Sequence, residues 1–150
     1  MTGKSHPHEK FINELKDLLQ LDYAAVEAYD SAIERFKNET FKMKFQEFRN
    51  DHHRHIKNVT EYLKKIGGDY PTGAGIKKIL TQGKVILANL AGDISLLKAM
   101  KSNELETTEA YKHINAYPDI PSDIKDALLD GYQDEKRHLL WIEKELDKSW

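Results

Sequence analysis

A chain of 150 residues suits one domain with one core, and 23 Lys and Arg against 25 Asp and Glu leave a net charge of −2 that predicts no nucleic-acid or acidic-membrane partner. The lack of any Cys excludes disulfides, Cys-ligated zinc and iron–sulfur centres, and is compatible with the reducing cytoplasm that is the expected location. Met1 to His8 is polar, without the apolar stretch of a signal peptide, and no run approaches the length needed to span a bilayer.

The first predicted helix covers about 8–37, after a tail over 1–8 expected to be disordered and holding His6 and His8. Pro7 suits a first helical position. Leu15, Leu18, Ala25, Tyr29, Ala32 and Phe36 fall on one heptad line, and Asp22 sits on the same line. After a turn at Asn38-Glu39-Thr40, a second helix is predicted over about 40–66. Phe41, Phe45, Phe48, Val59, Tyr62 and Ile66 form its apolar line, with His52 and His55 at the two middle positions. Gly67-Gly68 stop it and Pro71 marks a loop. The connection over about 67–91 is long enough to cross a bundle and is expected to hold a short helix from Ile76 to Leu90. A third helix over about 93–116 carries Ile94, Leu97, Thr108 and Tyr111, with Glu104 among them. Pro118-Asp119-Ile120-Pro121-Ser122 breaks the chain, and Ser122 offers an N-cap. The fourth helix, about 123–147, has Ile124, Leu128, Gly131, Glu135, His138 and Ile142 on its line.

These elements predict an all-α four-helix bundle, one domain over 1–150, in which two antiparallel hairpins are joined by a long crossover. Two stretches then say nearly the same thing: Asp51-His52-His53-Arg54-His55 and Asp134-Glu135-Lys136-Arg137-His138. Each puts an Asp before a candidate metal ligand and a His three residues after that ligand, one helical turn along the same face. A matched pair lies upstream of each, Asp22 with Tyr29 and Glu104 with Tyr111, seven residues apart in both cases. In an antiparallel pair, residues equidistant from the turn share a height. Asp22 and His55 are centred between residues 38 and 39, and Glu104 and His138 are centred on Pro121. Asp22, His52, His55, Glu104, Glu135 and His138 would therefore face inward at one level.

An unpaired polar group in a core costs about 1–3 kcal/mol, and a charge costs more. Either the six groups satisfy one another as a polar layer that fixes helix register, or they hold metal. The repetition and the matched depth favour metal. Imidazole with carboxylate and no thiolate suits iron, manganese or zinc, as one or two ions. Lys101, one turn before Glu104, either neutralises Glu104 or extends its charge to solvent. Tyr29 and Tyr111 are candidate hydrogen-bond donors to the layer, radical relays or plain core residues, and His53 is expected to face solvent.

Over residues of about 10–148 the chain resembles the ferritin-like superfamily, near its bacterioferritin and rubrerythrin branch, and is more similar still to small standalone bacterial ferritin-like bundles. The most specific part is Asp134-Glu135-Lys136-Arg137-His138 with Trp141-Ile142-Glu143-Lys144-Glu145-Leu146, which is similar to the last helix of bacterioferritins. The resemblance implies that Glu135 bridges two ions, that His138 and His55 are terminal histidines, and that Asp22 and Glu104 are terminal carboxylates. It also implies that Asp51 accepts a hydrogen bond from His138 and Asp134 from His55, fixing each ring's tautomer.

Two positions depart from the family. His52 stands where a second bridging Glu is expected, and Asp22 where a longer Glu is expected. Three carboxylates then leave a residual charge of about +1 on two divalent ions or +3 on two ferric ions. The activity implied is oxidation of ferrous ion by oxygen or peroxide. The alternatives are a non-catalytic metal-binding or metal-buffering bundle and a metal-free interaction module, and a homodimer is among the expected states.

Overall fold

The computed structural model describes residues 2–75 and 92–149, with side chains over 8–75 and 92–148. It is a four-helix bundle of α1 (Thr2–Arg35), α2 (Glu39–Lys65), α3 (Asp93–Asn115) and α4 (Ser122–Ser149), with no strand among the described residues. Helix α1 packs on α2 and α3, and α4 packs on the same two, so α1 and α4 are diagonal partners. Among the described residues no helix is long and apolar enough to cross a membrane. The helix expected from Ile76 to Leu90 lies outside the described residues, and so do most side chains of the expected tail.

Local chemistry sets the helix ends. The backbone N–H of Phe41 donates to the Asn38 side chain at 3.1 Å, so Asn38 caps α2, and Glu39 and Thr40 are helical rather than turn residues. Asp93, in the first turn of α3, accepts from the backbone N–H groups of Lys37 and Asn38 at 2.9 and 3.0 Å. One carboxylate thus ties the α1–α2 turn to the start of α3. At the other end of α2, Gly67 takes φ 79°, its N–H reaches the Lys64 carbonyl, and the Gly68 N–H reaches Leu63. That pair of bonds is a Schellman stop, which a residue with Cβ would adopt only under strain. Ser122 is drawn into α4 instead of capping it, and the Pro121 carbonyl accepts the first bonds of that helix.

The core has two large apolar parts and a small one of Ala24, Ala25 and Ala74. One large part gathers Tyr29, Phe36, Phe41, Phe45, Phe48, Leu96, Leu97, Met100 and Ile142. The other gathers Phe11, Leu15, Leu19, Val59, Leu63, Tyr111, Ile114, Ile124 and Leu128. Apart from Ser31, the buried polar residues fall between these two parts in every helix. Most of the predicted apolar lines are inward. Ile66 is a correction: it closes α2 as its C-cap and is 42% exposed, while Leu63 is buried in its place. On α3 the inward line runs Leu97, Met100, Glu104, Thr107, Tyr111, Ile114, an unbroken alternation of three and four. Thr107, not Thr108, is the fully buried threonine.

Gly131 lies buried inside α4, where glycine costs about 1 kcal/mol relative to alanine. A Cβ at that position would collide with the Tyr111 ring, with Cδ1 and Cζ only 3.0 Å away. The missing side chain lets the ring lie against the α4 backbone. Gly131→Ala should therefore destabilise the fold despite the better helix propensity, because overpacking a tight contact costs about 1–3 kcal/mol. Urea denaturation of the two proteins checks this, and a more stable variant would show that the ring is free to move.

Candidate metal centre

Each helix contributes one or two groups to the layer: Asp22 from α1, His52 and His55 from α2, Glu104 from α3, Glu135 and His138 from α4. None is more than 3% exposed. The structure brings all six together as two overlapping groups, Asp22–His52–His55–Glu135 and His52–Glu104–Glu135–His138. In each group one ligating atom per residue lies within 4.8 Å of the others, so each could hold a metal ion. His52 and Glu135 belong to both.

The rings are aimed. His55 points Nε2 at Asp134 Oδ2, 2.9 Å away, and His138 points Nε2 at Asp51 Oδ2, 2.8 Å away. A carboxylate only accepts, so both Nε2 atoms carry the proton. The Nδ1 atoms are turned inward: that of His55 lies 3.3 Å from Asp22 Oδ1 and 3.5 Å from Glu135 Oε2, and that of His138 lies 3.7 Å from Glu104 Oε2. His52 is the pivot. Its Nδ1 lies 2.8 Å from Asp22 Oδ1, and its Nε2 lies 3.4 Å from Glu135 Oε2 and 3.6 Å from Glu104 Oε1. Stacking on Phe48, at 4.2 Å between centroids, holds the His138 ring plane.

A hydroxyl holds each carboxylate. Tyr111 donates to Asp22 Oδ2 at 2.6 Å, Tyr29 donates to Glu104 Oε1, and Thr107 donates to Glu135 Oε1 at 2.8 Å. Burial and the neighbouring carboxylates push both tyrosines well above their ordinary pKa, which keeps them protonated donors. Three buried atoms of the layer have no hydrogen-bond partner: His52 Nε2, Glu135 Oε2 and His138 Nδ1. Leaving such atoms bare costs about 1–3 kcal/mol each, and a cation between them would satisfy all three. The donor set, imidazole nitrogen with carboxylate oxygen, fits a borderline transition ion.

Outside the layer lies a charged clasp that spacing alone did not identify. Arg54 donates to Asp51 at 3.1 Å and also to Asp134, and Arg137 donates to Asp51 at 2.7 Å and Asp134 at 3.1 Å. The two arginines are about half exposed and the two aspartates mostly covered. Both arginines occupy the same place in the repeated motif, the signal that could have found them. Thr107 carried no such signal. Lys101 reaches Glu143 at 3.7 Å instead of pairing with Glu104, and His53 faces solvent.

Protons balance the charge of the layer where no cation does. Burial works against the Asp22 carboxylate, but hydrogen bonds from His52 and His55 bring its pKa down to about 2. Burial opposes a charge on His52 and His55 too, yet the carboxylates around them raise both. Glu104 is held well below its ordinary value by His138 and His52, against burial, while burial and the charge of Glu104 drive Glu135 well above its own.

These shifts set the pH dependence. Asp22 contributes stability above 3.8 that is lost as pH falls through about 2. His52 and His55 contribute stability present below 6.5 and lost as pH rises through their raised values, and Glu135 has the same sign from 4.5 upward. Chelator-treated protein should therefore melt at a lower temperature at pH 8.5 than at pH 6. Metal-loaded protein should show the reverse trend, since ligands must shed protons to bind. Melting curves across that range, with and without zinc, check both signs.

No curated protein matches the chain. Residues 10–116, which include Asp22, His52, His55 and Glu104 but end before Glu135 and His138, match the family model described as Domain of unknown function (DUF2383), and the chain belongs to that family.

Proposed function

We propose that this protein is a metal-binding bundle of the ferritin-like type, with antiparallel α1–α2 and α3–α4 hairpins joined by a crossover. One or two transition-metal ions are held at mid-bundle by Asp22, His52, His55, Glu104, Glu135 and His138. The observation that carries the reading is the convergence of three buried, unpartnered atoms, on His52, Glu135 and His138, inside groups able to take a cation. A layer built only to fix register would be expected to pair its own members. Iron is the ion the resemblance favours, with manganese or zinc compatible with the donors.

A redox-active ion here would supply one-electron chemistry toward oxygen or peroxide. The chain's own residues do the rest: Tyr29, Tyr111 and Thr107 fix the carboxylates, Asp51 and Asp134 fix two histidines, and the apolar clusters on either side exclude water. His52 in place of a bridging carboxylate favours a second reading, holding or buffering metal without oxidation. Oxygen or peroxide consumption on adding ferrous ion separates the two.

The ligands come from four helices, so an ion that binds the folded state alone should stabilise it by about 2.7 kcal/mol at a hundredfold excess over Kd. Thermal melting with ferrous, manganous or zinc ion against a chelator control measures this, and no rise with any of them would remove the metal reading. Arg137→Gln should leave stability within about 1 kcal/mol, as expected for a half-exposed ion pair. It should nevertheless weaken metal binding by about 10–100-fold, because Asp51 would hold the His138 ring less firmly. Zinc titration calorimetry beside a urea melt reads both quantities.

A further inference from the structure

The two overlapping groups are not equivalent, and we infer that a divalent cation fills His52–Glu104–Glu135–His138 first and the position beside Asp22 and His55 only second, and more weakly. The inference rests on the metal-binding reading and adds to it an order of loading and a cause. The three unpartnered buried atoms of the layer, His52 Nε2, Glu135 Oε2 and His138 Nδ1, all lie in the first group, two of them on the residues both groups share. A cation there gains donors that no protein group is using.

The other position is already engaged. Asp22 Oδ1 accepts from His52 Nδ1 at 2.8 Å, with His55 Nδ1 3.3 Å away, and Asp22 Oδ2 accepts from the Tyr111 hydroxyl at 2.6 Å. With its proton on Nδ1 toward Asp22, His52 has one lone pair, on Nε2, and that faces Glu104 and Glu135. A neutral imidazole cannot give a lone pair to two ions. Once the first ion takes Nε2, the second position keeps only Asp22, His55 and a share of Glu135, and must compete with the hydrogen bonds that His52 and Tyr111 make to Asp22.

Charge sets the two steps apart. Glu104 and Glu135 together neutralise one divalent ion. The second ion adds two positive charges against the single carboxylate of Asp22, in a layer where none of the six groups is more than 3% exposed. Hydrogen bonding sets which position fills first, and charge makes the second the weaker.

Zinc titration calorimetry on chelator-stripped protein tests it, with Asp22→Asn and Glu104→Gln as the variants. Each variant removes a charge while keeping an oxygen to accept from its tyrosine, and thermal melts establish that both fold. The parent should bind in two steps, the first about 10–100-fold tighter, a separation typical of losing well-held ligands. Glu104→Gln should weaken the first step by a similar factor, while Asp22→Asn should diminish the second and change the first by less than about threefold. Independently of the variants, a crystal of the parent with one equivalent of zinc should give an anomalous peak among His52, Glu104, Glu135 and His138. Two equal steps, loss of the first step in Asp22→Asn, or a peak between Asp22 and His55 would overturn the order and leave the metal-binding reading standing. Absence of any zinc binding by the parent would overturn both.

Discussion

Burying a carboxylate is the constraint around which this bundle is arranged. Asp22, Glu104 and Glu135 lie in the middle of apolar helix lines at 1% exposure or less, where desolvation of a charge outweighs what any one core contact returns. Each must find partners, and its own helix supplies few: Thr107, one turn from Glu104, reaches Glu104 Oε2 only at 3.5 Å and makes its closer bond to Glu135. The partners therefore come from across the bundle: Tyr111 of α3 for Asp22, Tyr29 of α1 for Glu104, and histidines of α2 and α4 for all three. Once those bonds exist the helices have one register. Sliding α1 by a turn against α3 would strand two carboxylates and two phenols together.

The exchange has an approximate two-fold logic. Helices α1 and α3 trade a tyrosine for a carboxylate in both directions. Helices α2 and α4 trade an aspartate for a histidine in both directions, with Arg54 and Arg137 tying the two aspartates together. Even the cost of a helix-interior glycine at 131 fits here, because Tyr111 needs that space to reach Asp22. His52 breaks the symmetry. It stands where the repeat would place the counterpart of Glu135, and it turns one nitrogen to each group of ligands. An imidazole offers direction and one lone pair where a carboxylate offers charge and two oxygens, so the two halves of the layer differ in what they can hold.

The apolar clusters serve the layer as much as the fold. Phe45, Phe48 and Trp141 close one side, with Phe48 stacked on His138, and Leu15, Leu19, Val59 and Leu128 close the other. With water excluded, each carboxylate–imidazole contact is stronger and each unpartnered atom more costly. That combination makes a cation the natural completion of the centre.

Sequence by itself determined the four helices, the inward lines and the six ligand candidates, because heptad spacing and the ligand-x-x-His repeat are local properties of single helices. It also carried the pairing of Asp51 with His138 and of Asp134 with His55, through the resemblance of the last helix to bacterioferritins. It misjudged Ile66, which ends its helix in solvent, and Thr108, because a line drawn through the wrong one of two adjacent threonines looks equally apolar until packing selects one. The Asn38 cap, a contact only three residues long, was missed because the turn was drawn through Thr40, and the Asp93 tie because it depends on how that turn meets the start of α3. Only the tertiary structure decided the roles of Thr107, Arg54, Arg137 and Gly131, and which nitrogen of His52 faces which carboxylate. Each of those is a contact between helices whose residues lie 20 to 86 positions apart, and spacing along one helix carries no information about the atom waiting on its neighbour.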